Sequence, residues 1–222
     1  MNAKPQKSFE PTSRTTVKRS ATRGIYDRDA IDKILDEALV CHVGFVDEGQ
    51  PVVIPTIHVR MGDNIYIHGS PASRMIKCLL SDQPACVSVT LVDGLVLARS
   101  VFHHSMNYRS VVIFGQAFDV PDIEKKREIS HALTDHAVPG RWTEARQPSE
   151  KELAATAFVG LPLDECSAKV RTGPPVDDDA DYQLDVWAGV IPMSLSAGVP
   201  ENDDKLGAGI VTPEYVNQYR RV

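Results

Sequence analysis

Hydrophobic and polar positions alternate along this chain in a way that predicts short strands separated by amphipathic helices. Apolar side chains recur at helical spacing in residues 27–39 and again in residues 121–138, so each stretch is predicted to form a helix. The runs CHVGFV, PVVIPTIHV and NIYIHG are rich in β-branched and aromatic residues, which favours strands. Their connectors, DEGQ and RMGDN, have hairpin length and turn composition, so the three strands are predicted to form an antiparallel meander.

More strand sequence follows in the rest of the chain. ACVSVTLVDGLVLA and YRSVVIFGQAFDV each supply strands, with Gly115 as a candidate β-bulge, and FVGLPLDECSAKVRTG supplies one or two more. Ser149 and Glu152 have the spacing of a capping box and predict the start of a short helix. Six or more short antiparallel strands with interspersed helices predict one mainly β domain, a small β-barrel with flanking helices.

The segment HGSPASR ends the strand NIYIHG and precedes a helix that is predicted to begin near Ala72. Ser70 or Ser73 is the expected cap of that helix. The same serines and Arg74 also have the composition of an anion-binding turn, because a helix N-terminus and a guanidinium both favour phosphate. Local sequence leaves two interpretations open: a capped helix with a solvated arginine, or a seat for phosphate.

A second polar group lies in SMNYRSVVIFG, where Asn107, Arg109 and Ser110 precede an apolar strand. This order suits a ligand at the rim of a barrel, and it equally suits a hairpin turn. The neighbouring residues His103 and His104 would point to opposite faces of a strand, so they are not predicted to chelate a metal. One of the two rings could line a pocket, and the alternatives favoured for both are a surface position or packing in the core.

Two tryptophan-containing stretches are weaker candidates. Arg141 and Arg146 flank Trp142 in a predicted loop, an arrangement that can stack on a planar ligand or seal an interface. Trp187 lies next to small residues and is predicted to be a buried anchor or a pocket wall.

Composition narrows the class of protein. Hydrophobic residues make up 42% of the 222 positions and charged residues 24%, which is typical of a soluble globular protein. The formal charge of −6 gives no support for nucleic acid as a partner. No run has the length of a membrane span or the apolar core of a secretory signal, so a cytoplasmic protein is predicted. The four cysteines lack CxxC spacing and nearby histidines in ligand register, which predicts reduced thiols and no metal site.

Charge and periodicity also suggest the domain boundaries. Residues 1–24 are polar and basic, and are predicted to be a flexible arm. Residues 25–195 form the predicted domain. Residues 196–222 are poorly periodic and are predicted to be an extended tail or an arm that embraces a partner subunit.

The order of these motifs resembles a known family. PVVIPTIHV, the turn RMGDN, the strand IYIHG, a Ser-Arg pair opening a helix, and then YRSVVIFGQA are similar to the FMN-binding split-barrel proteins, the pyridoxamine 5′-phosphate oxidase-like superfamily. The resemblance covers roughly residues 23–192. It is greatest to the flavin-nucleotide-binding branch, which is similar to the 5-nitroimidazole-resistance (Nim) proteins.

The resemblance implies a six-stranded antiparallel split β-barrel that forms a homodimer, with FMN in the clefts between subunits. It implies that the ring edge of FMN lies along Val53, Ile54, Pro55, Thr56 and Ile57. It implies that the ribityl chain lies beside His68, Gly69 and Ser70, and that the phosphate is held by Ser73 and Arg74. It further implies that the site is closed by Tyr108, Arg109 and Ser110. Arg141 and Trp187 are further candidates that could reach across from the partner subunit.

Two departures from the family pattern limit the functional prediction. Arg74 is followed by Met75, where the oxidases have Arg-Lys, and the chain lacks the C-terminal segment with which they hold their substrate. Oxidation of vitamin B6 is therefore not expected. The prediction is an FMN-dependent reductase of a small planar acceptor, nitroimidazole- or nitroaromatic-like, with NAD(P)H as a candidate donor. His68 and His104 are candidates to protonate the product, and the alternatives are a non-catalytic FMN or haem carrier or sensor, or a deazaflavin-binding protein.

Overall fold

The computed structural model describes residues 8–221, and every strand pair in it is antiparallel. The strands are β1 Gly24–Ile25, β2 Val40–Asp47, β3 Gln50–Ile57, β4 Val59–Met61, β5 Asn64–Gly69, β6 Pro84–Leu97, β7 Ser105–Gln116, β8 Phe118–Asp119, β9 Ala157–Pro162, β10 Glu165–Arg171 and β11 Gly189–Pro192. The helices are α1 Arg28–Glu37, α2 Arg74–Leu79, α3 Ile123–Ala137, α4 Arg141–Glu144, α5 Glu150–Ala155 and α6 Glu214–Asn217. Single 3-10 turns form at Ala21–Arg23, Val101–His103 and Asp181–Gln183.

The strands form two sheets around a shared core. One sheet has the order β1-β10-β7-β6-β2-β3, with β11 also paired to β6, and the other has the order β4-β5-β9-β8. Val87 and Ile113 from the first sheet and Ile65 and Val159 from the second belong to one buried cluster. The predicted fold class, mainly β and antiparallel with flanking helices, is confirmed.

The predicted meander of three strands is wrong, because PVVIPTIHV is divided between the two sheets. β3 pairs with β2 in the first sheet, whereas β4 pairs with β5 in the second. His58 lies at the crossing point, where it is fully buried and its Nε2 is 3.1 Å from the carbonyl oxygen of Leu35 in α1. The contact between His58 and α1 lies where the chain leaves β3 in the first sheet and enters β4 in the second.

The predicted bulge at Gly115 is also wrong. Pairing between β6 and β7 runs in register through Gly115, and the irregularity lies between Val92 and Gly94. A side chain at Gly94 would meet Val190 Cγ1 at 2.9 Å and the carbonyl oxygen of Ile191 at 3.0 Å. Glycine is required at this position because β11 packs against the bulge.

Helix boundaries follow the polar caps in the sequence. The side chains of Asp27, Ser73 and Asp122 accept hydrogen bonds from the first turns of α1, α2 and α3. Ser149 and Glu152 form the predicted capping box at the start of α5. The apolar faces of α1 and α2 pack on the shared core, whereas α3 and α5 cover a second cluster with β4 and β9.

Residues 1–7 of the predicted N-terminal arm, including Lys4 and Lys7, lie outside the described residues. The rest of that segment packs on the first sheet. Phe9 is buried, and Thr12 and Arg14 both bind Glu165 at the start of β10. One apolar residue and one ion pair are enough to hold a polar segment against the sheet.

The C-terminal segment folds back onto the helices. The Tyr219 hydroxyl donates to the carbonyl oxygen of Ala137 at 2.9 Å, and Arg221 Nε donates to that of Glu37 at 3.0 Å. These are carbonyls at the ends of α3 and α1, where a cation is favoured by the helix dipole. The four cysteines are free thiols, and no helix among residues 8–221 is long and apolar enough to cross a membrane.

Candidate functional site

The edge of β3 is a row of backbone groups without a strand partner. β3 is the last strand of its sheet and pairs only with β2 among the described residues. Pro51 and Pro55 have no N–H, so they occupy the positions that face away from β2. Because the direction of the backbone groups alternates along a strand, Val53 and Ile57 also point their N–H and C=O toward this open edge.

The five residues VIPTI do not share one environment. Val53 is 64% exposed and Pro55 is exposed, on the sheet face that also carries Gly44 and His42. Ile54 packs against the shared core from the opposite face. Thr56 alternates to the same side as Ile54, and Ile57 packs against the second cluster. The open face beside β3 is therefore formed by Val53 and Pro55.

The HGSPASR turn is a capped helix start with a half-exposed arginine. Ser73 Oγ accepts from the N–H of Ile76 at 3.3 Å, and Ser70 Oγ accepts from that of Ala72 at 3.2 Å. The Arg74 side chain is 57% exposed, and its Nε is 3.5 Å from Asp47 Oδ2.

Asp47 is the last residue of β2, so its contact with Arg74 connects the turn to the β2–β3 hairpin. Met75 is buried in the shared core. The burial of this side chain explains why methionine and not lysine follows Arg74, because the charged end of a lysine at position 75 would have to leave the core.

His68 and Gly69 end β5 beside this turn. The His68 ring is exposed and stacks on Phe158, with 5.8 Å between ring centroids, and partial desolvation lowers its pKa. A side chain at Gly69 would lie 3.2 Å from Ile76 Cγ1, so glycine lets α2 approach β5 closely.

Arg109 is occupied by two carboxylates. Its Nη2 donates to Glu37 Oε1 at 2.7 Å, and its Nε donates to Asp93 Oδ2 at 3.0 Å. These hydrogen bonds, the Glu37 bond first, raise the pKa of the Arg109 guanidinium above its usual range. The neighbouring Ser110 hydroxyl donates to the carbonyl oxygen of Lys169 at 3.2 Å, and Tyr108 is half-buried. These three residues are held by other elements of the first sheet and by α1.

A cleft of about 450 Å³ opens beside Arg109. Arg109 and its partners Glu37 and Asp93 line this cleft together with apolar side chains. The lining includes Leu39, Leu91, Val92, Met193, Leu195 and Arg221. The sequence did not suggest Glu37 or Asp93 as partners of Arg109, since they lie on different elements and only the fold brings them together.

The remaining candidates lie on other segments. His104 Nε2 is 3.1 Å from the carbonyl oxygen of Ala98, and Arg141 Nη1 donates to Glu144 and to the Tyr215 hydroxyl, each at 3.1 Å. Trp187 is 66% exposed and packs over Gly189. Within residues 8–221, no hydrogen bond or ion pair joins these side chains to the HGSPASR turn.

Large exposed apolar side chains are concentrated on segments connected to β6 and β7. Phe102 is 89% exposed, and Arg99 and Asp177 link its segment to the loop that carries Tyr182. The exposed apolar residues of these segments are Val101, Phe102, Val176, Tyr182, Leu184, Val186, Trp187, Ile191, Met193 and Leu195. Exposed apolar surface on this scale is typical of a binding interface.

Comparison with known proteins identifies one family model and several similar solved structures. A family described as pyridoxamine 5′-phosphate oxidase matches residues 27–170, and no curated protein matches the chain. The flavocytochrome Anf3 from Azotobacter vinelandii is 40% identical with a TM-score of 0.89, covering 96% of this chain and 99% of that one.

Two further solved structures are similar over most of their length. The FAD and haem binding protein from Mycobacterium smegmatis is 38% identical with a TM-score of 0.83, covering 87% of this chain and 95% of that one. A protein assigned to 5-nitroimidazole antibiotic resistance in Bacteroides thetaiotaomicron is 26% identical with a TM-score of 0.57, covering 66% of this chain and 86% of that one.

Proposed function

Since the chain belongs to the pyridoxamine 5′-phosphate oxidase family, as its motif order indicated, we propose that it binds a flavin nucleotide along the open edge of β3. The observation that carries this proposal is the row of backbone groups at Val53 and Ile57, which have no strand partner among residues 8–221 and lie beside an exposed sheet face. The pyrimidine edge of a flavin carries both acceptors and a donor, which matches the alternating N–H and C=O groups of a free strand edge.

Arg74 is the proposed phosphate contact. Its guanidinium is more than half exposed and its Asp47 contact is long at 3.5 Å, so a phosphate can replace or share that contact. Asp47 fixes the arginine at the end of the β2–β3 hairpin, from which β3 leads along the proposed ring site. The serine hydroxyls at positions 70 and 73 retain their own protons as donors after capping the turn.

We propose FMN as the flavin, with FAD as the alternative. The contacts above require only one phosphate and one ring, which FMN supplies. FAD is favoured instead by the Mycobacterium smegmatis protein, which is named as an FAD and haem binding protein. Mass measurement of the ligand released from purified protein separates the two.

A second copy of the chain is the proposed partner. The exposed apolar side chains near β6, β7 and β11 would be covered in a homodimer. Arg141 and Trp187 stay candidates for contacts made across that interface.

The proposed reaction is reduction of a small planar acceptor with electrons from NAD(P)H. A bound flavin supplies the redox chemistry, while the chain binds it and orients it through backbone donors. Support comes from the Bacteroides protein, which is 26% identical and assigned to 5-nitroimidazole resistance. His68, exposed at the end of β5, is the candidate proton donor.

Haem is a second candidate cofactor, alone or beside the flavin. A flavocytochrome and an FAD and haem binding protein are the two similar structures with the highest identity given above. Haem iron needs an axial side chain, and histidine is a common one. His42 and His68 have no hydrogen-bonding partner within residues 8–221 and are both exposed, so either ring is available.

The absorption spectrum of purified protein tests these proposals together. Flavin bands that NAD(P)H bleaches, and that return when a nitroaromatic is added, support the reductase. Flavin bands that never bleach indicate a carrier, and a Soret band lost in His42→Ala or in His68→Ala indicates haem. A colourless protein that takes up neither added FMN nor FAD, or one that retains a deazaflavin, overturns the flavin proposal.

A further inference from the structure

Asp177 fixes two distant loops against each other. Its side chain is fully buried and accepts hydrogen bonds from the backbone N–H groups of Arg99 at 3.0 Å and Ser100 at 3.1 Å, and from Arg99 Nη1 at 3.3 Å. The loop after β10 is therefore held against the segment between β6 and β7.

This contact brings three potential metal ligands together. His103 ends one 3-10 turn and Asp181 begins another, while Asp178 directly follows the buried Asp177. One ligand atom from each of His103, Asp178 and Asp181 lies within 4.8 Å of the other two. The sequence did not predict this group, because its histidine and its aspartates are more than seventy positions apart.

We propose that His103, Asp178 and Asp181 form a binding site for a divalent transition-metal ion, with Zn²⁺ as the reference ion. His103 Nε2 and Asp178 Oδ2 are 3.3 Å apart. Two ligands at 2.0–2.2 Å from a tetrahedral zinc ion are separated by about 3.3–3.6 Å, so this pair already has the spacing of a coordination edge. A change in the Asp181 side-chain rotamer would bring its carboxylate to the same ion as the third ligand.

Charge and orientation both favour a cation here. The two carboxylates of Asp178 and Asp181 give this group of ligands negative charge. Arg99, a cation on the same segment as His103, is engaged with Asp177, and its guanidinium carbon lies 5.0 Å from the centre of the Tyr182 ring. Phe102 packs edge-on against the His103 ring at 5.2 Å, which limits its rotation.

The ligand set indicates the kind of ion. One imidazole nitrogen and two carboxylate oxygens suit zinc and other first-row divalent ions better than Mg²⁺ or Ca²⁺, which prefer oxygen alone. Three protein ligands leave a fourth position for water or for a group from another molecule.

Zinc binding by tag-free full-length protein, with whatever cofactor it carries from expression, tests this proposal. We expect equilibrium dialysis against Zn²⁺, followed by elemental analysis, to give one zinc per chain. His103→Ala and Asp181→Asn should each weaken binding by more than about tenfold. Binding of zinc should also raise the unfolding temperature of the native protein, and this rise should be lost in both variants.

Matched controls separate this site from general surface binding. His131→Ala removes the other close His–Asp pair, in which His131 Nε2 is 3.0 Å from Asp135 Oδ2, and should leave zinc binding unchanged. Asp179→Asn changes the charge of the same loop without removing a ligand, and should have little effect. Native protein that binds no stoichiometric zinc, or variants at both 103 and 181 that bind it normally while folded by circular dichroism, would show that His103 and Asp178 form only an ion pair.

Discussion

Asp93 is the residue that the bulge in β6 leaves out of register, and its carboxylate binds Arg109 on the neighbouring strand. Arg109 Nε lies 3.0 Å from Asp93 Oδ2, and Nη2 lies 2.7 Å from Oδ1. Bulges commonly redirect a side chain in this way. Glu37 binds the other side of the guanidinium, so this ion-pair network joins α1 to the centre of the first sheet.

Replacing Arg109 with alanine should destabilise the fold more than it affects ligand binding. Two partly buried carboxylates would lose their common partner, at a cost of about 2–4 kcal/mol in the free energy of unfolding. Urea denaturation measures this cost. Arg109→Lys, which keeps the charge without the bidentate geometry, should recover only part of it. Flavin loss without any loss of stability would instead return Arg109 to the flavin site.

Arg74→Ala should weaken flavin binding by about 1.5–3 kcal/mol, as expected for the loss of a charged hydrogen-bond partner. Because Arg74 is mostly exposed, the stability of the flavin-free protein should change little. Fluorescence titration of stripped protein with FMN and with FAD measures the affinity.

The matched control for Arg74 is Arg146→Ala, which removes another exposed arginine whose partner is Glu152. Its flavin affinity should equal that of the native protein. Equal affinities in all three proteins would remove Arg74 from the site.

The buried His58 should make the protein less stable in mild acid. Burial, first, and then the neighbouring His136 lower the pKa of His58 from 6.5 to about 4. In the unfolded chain His58 therefore becomes protonated below about pH 6.5, whereas in the folded protein it stays neutral until the pH falls to about 4. Stability should fall across that window by up to about 3 kcal/mol and then level off.

The measurement for His58 is the urea midpoint between pH 7 and pH 4. His58→Gln, which cannot titrate and can still donate to the Leu35 carbonyl, should show a shallower fall than the native protein. His131→Ala, an exposed histidine, should keep the native slope. Identical slopes for native protein and His58→Gln would contradict the assignment.

The four thiols should divide into two classes. Cys41 and Cys166 are buried, and desolvation raises the pKa of each to about 12, so neither forms a reactive thiolate at neutral pH. Cys78 and Cys86 are only partly buried. Native protein should therefore react with a thiol reagent at no more than these two sites, and all four should react after denaturation. Rapid labelling of Cys41 or Cys166 in the native protein, detected by mass spectrometry, would contradict their burial.

Local sequence was sufficient for the features set by neighbours along the chain. Periodicity placed α1 and α3, polar residues limited the cap of α2 to Ser70 or Ser73 and placed that of α5 at Ser149, and motif order indicated the family. Interactions within a few residues govern these features, so the sequence carries them directly.

Only the tertiary structure decided which side chains meet. It divided PVVIPTIHV between two sheets at buried His58, and it turned Met75 into the core beside exposed Arg74. It gave Arg109 two carboxylate partners and brought His103 to Asp178 and Asp181. Each of these contacts depends on where separate strands and loops pack, which is fixed by burial of the whole core and not by any local pattern.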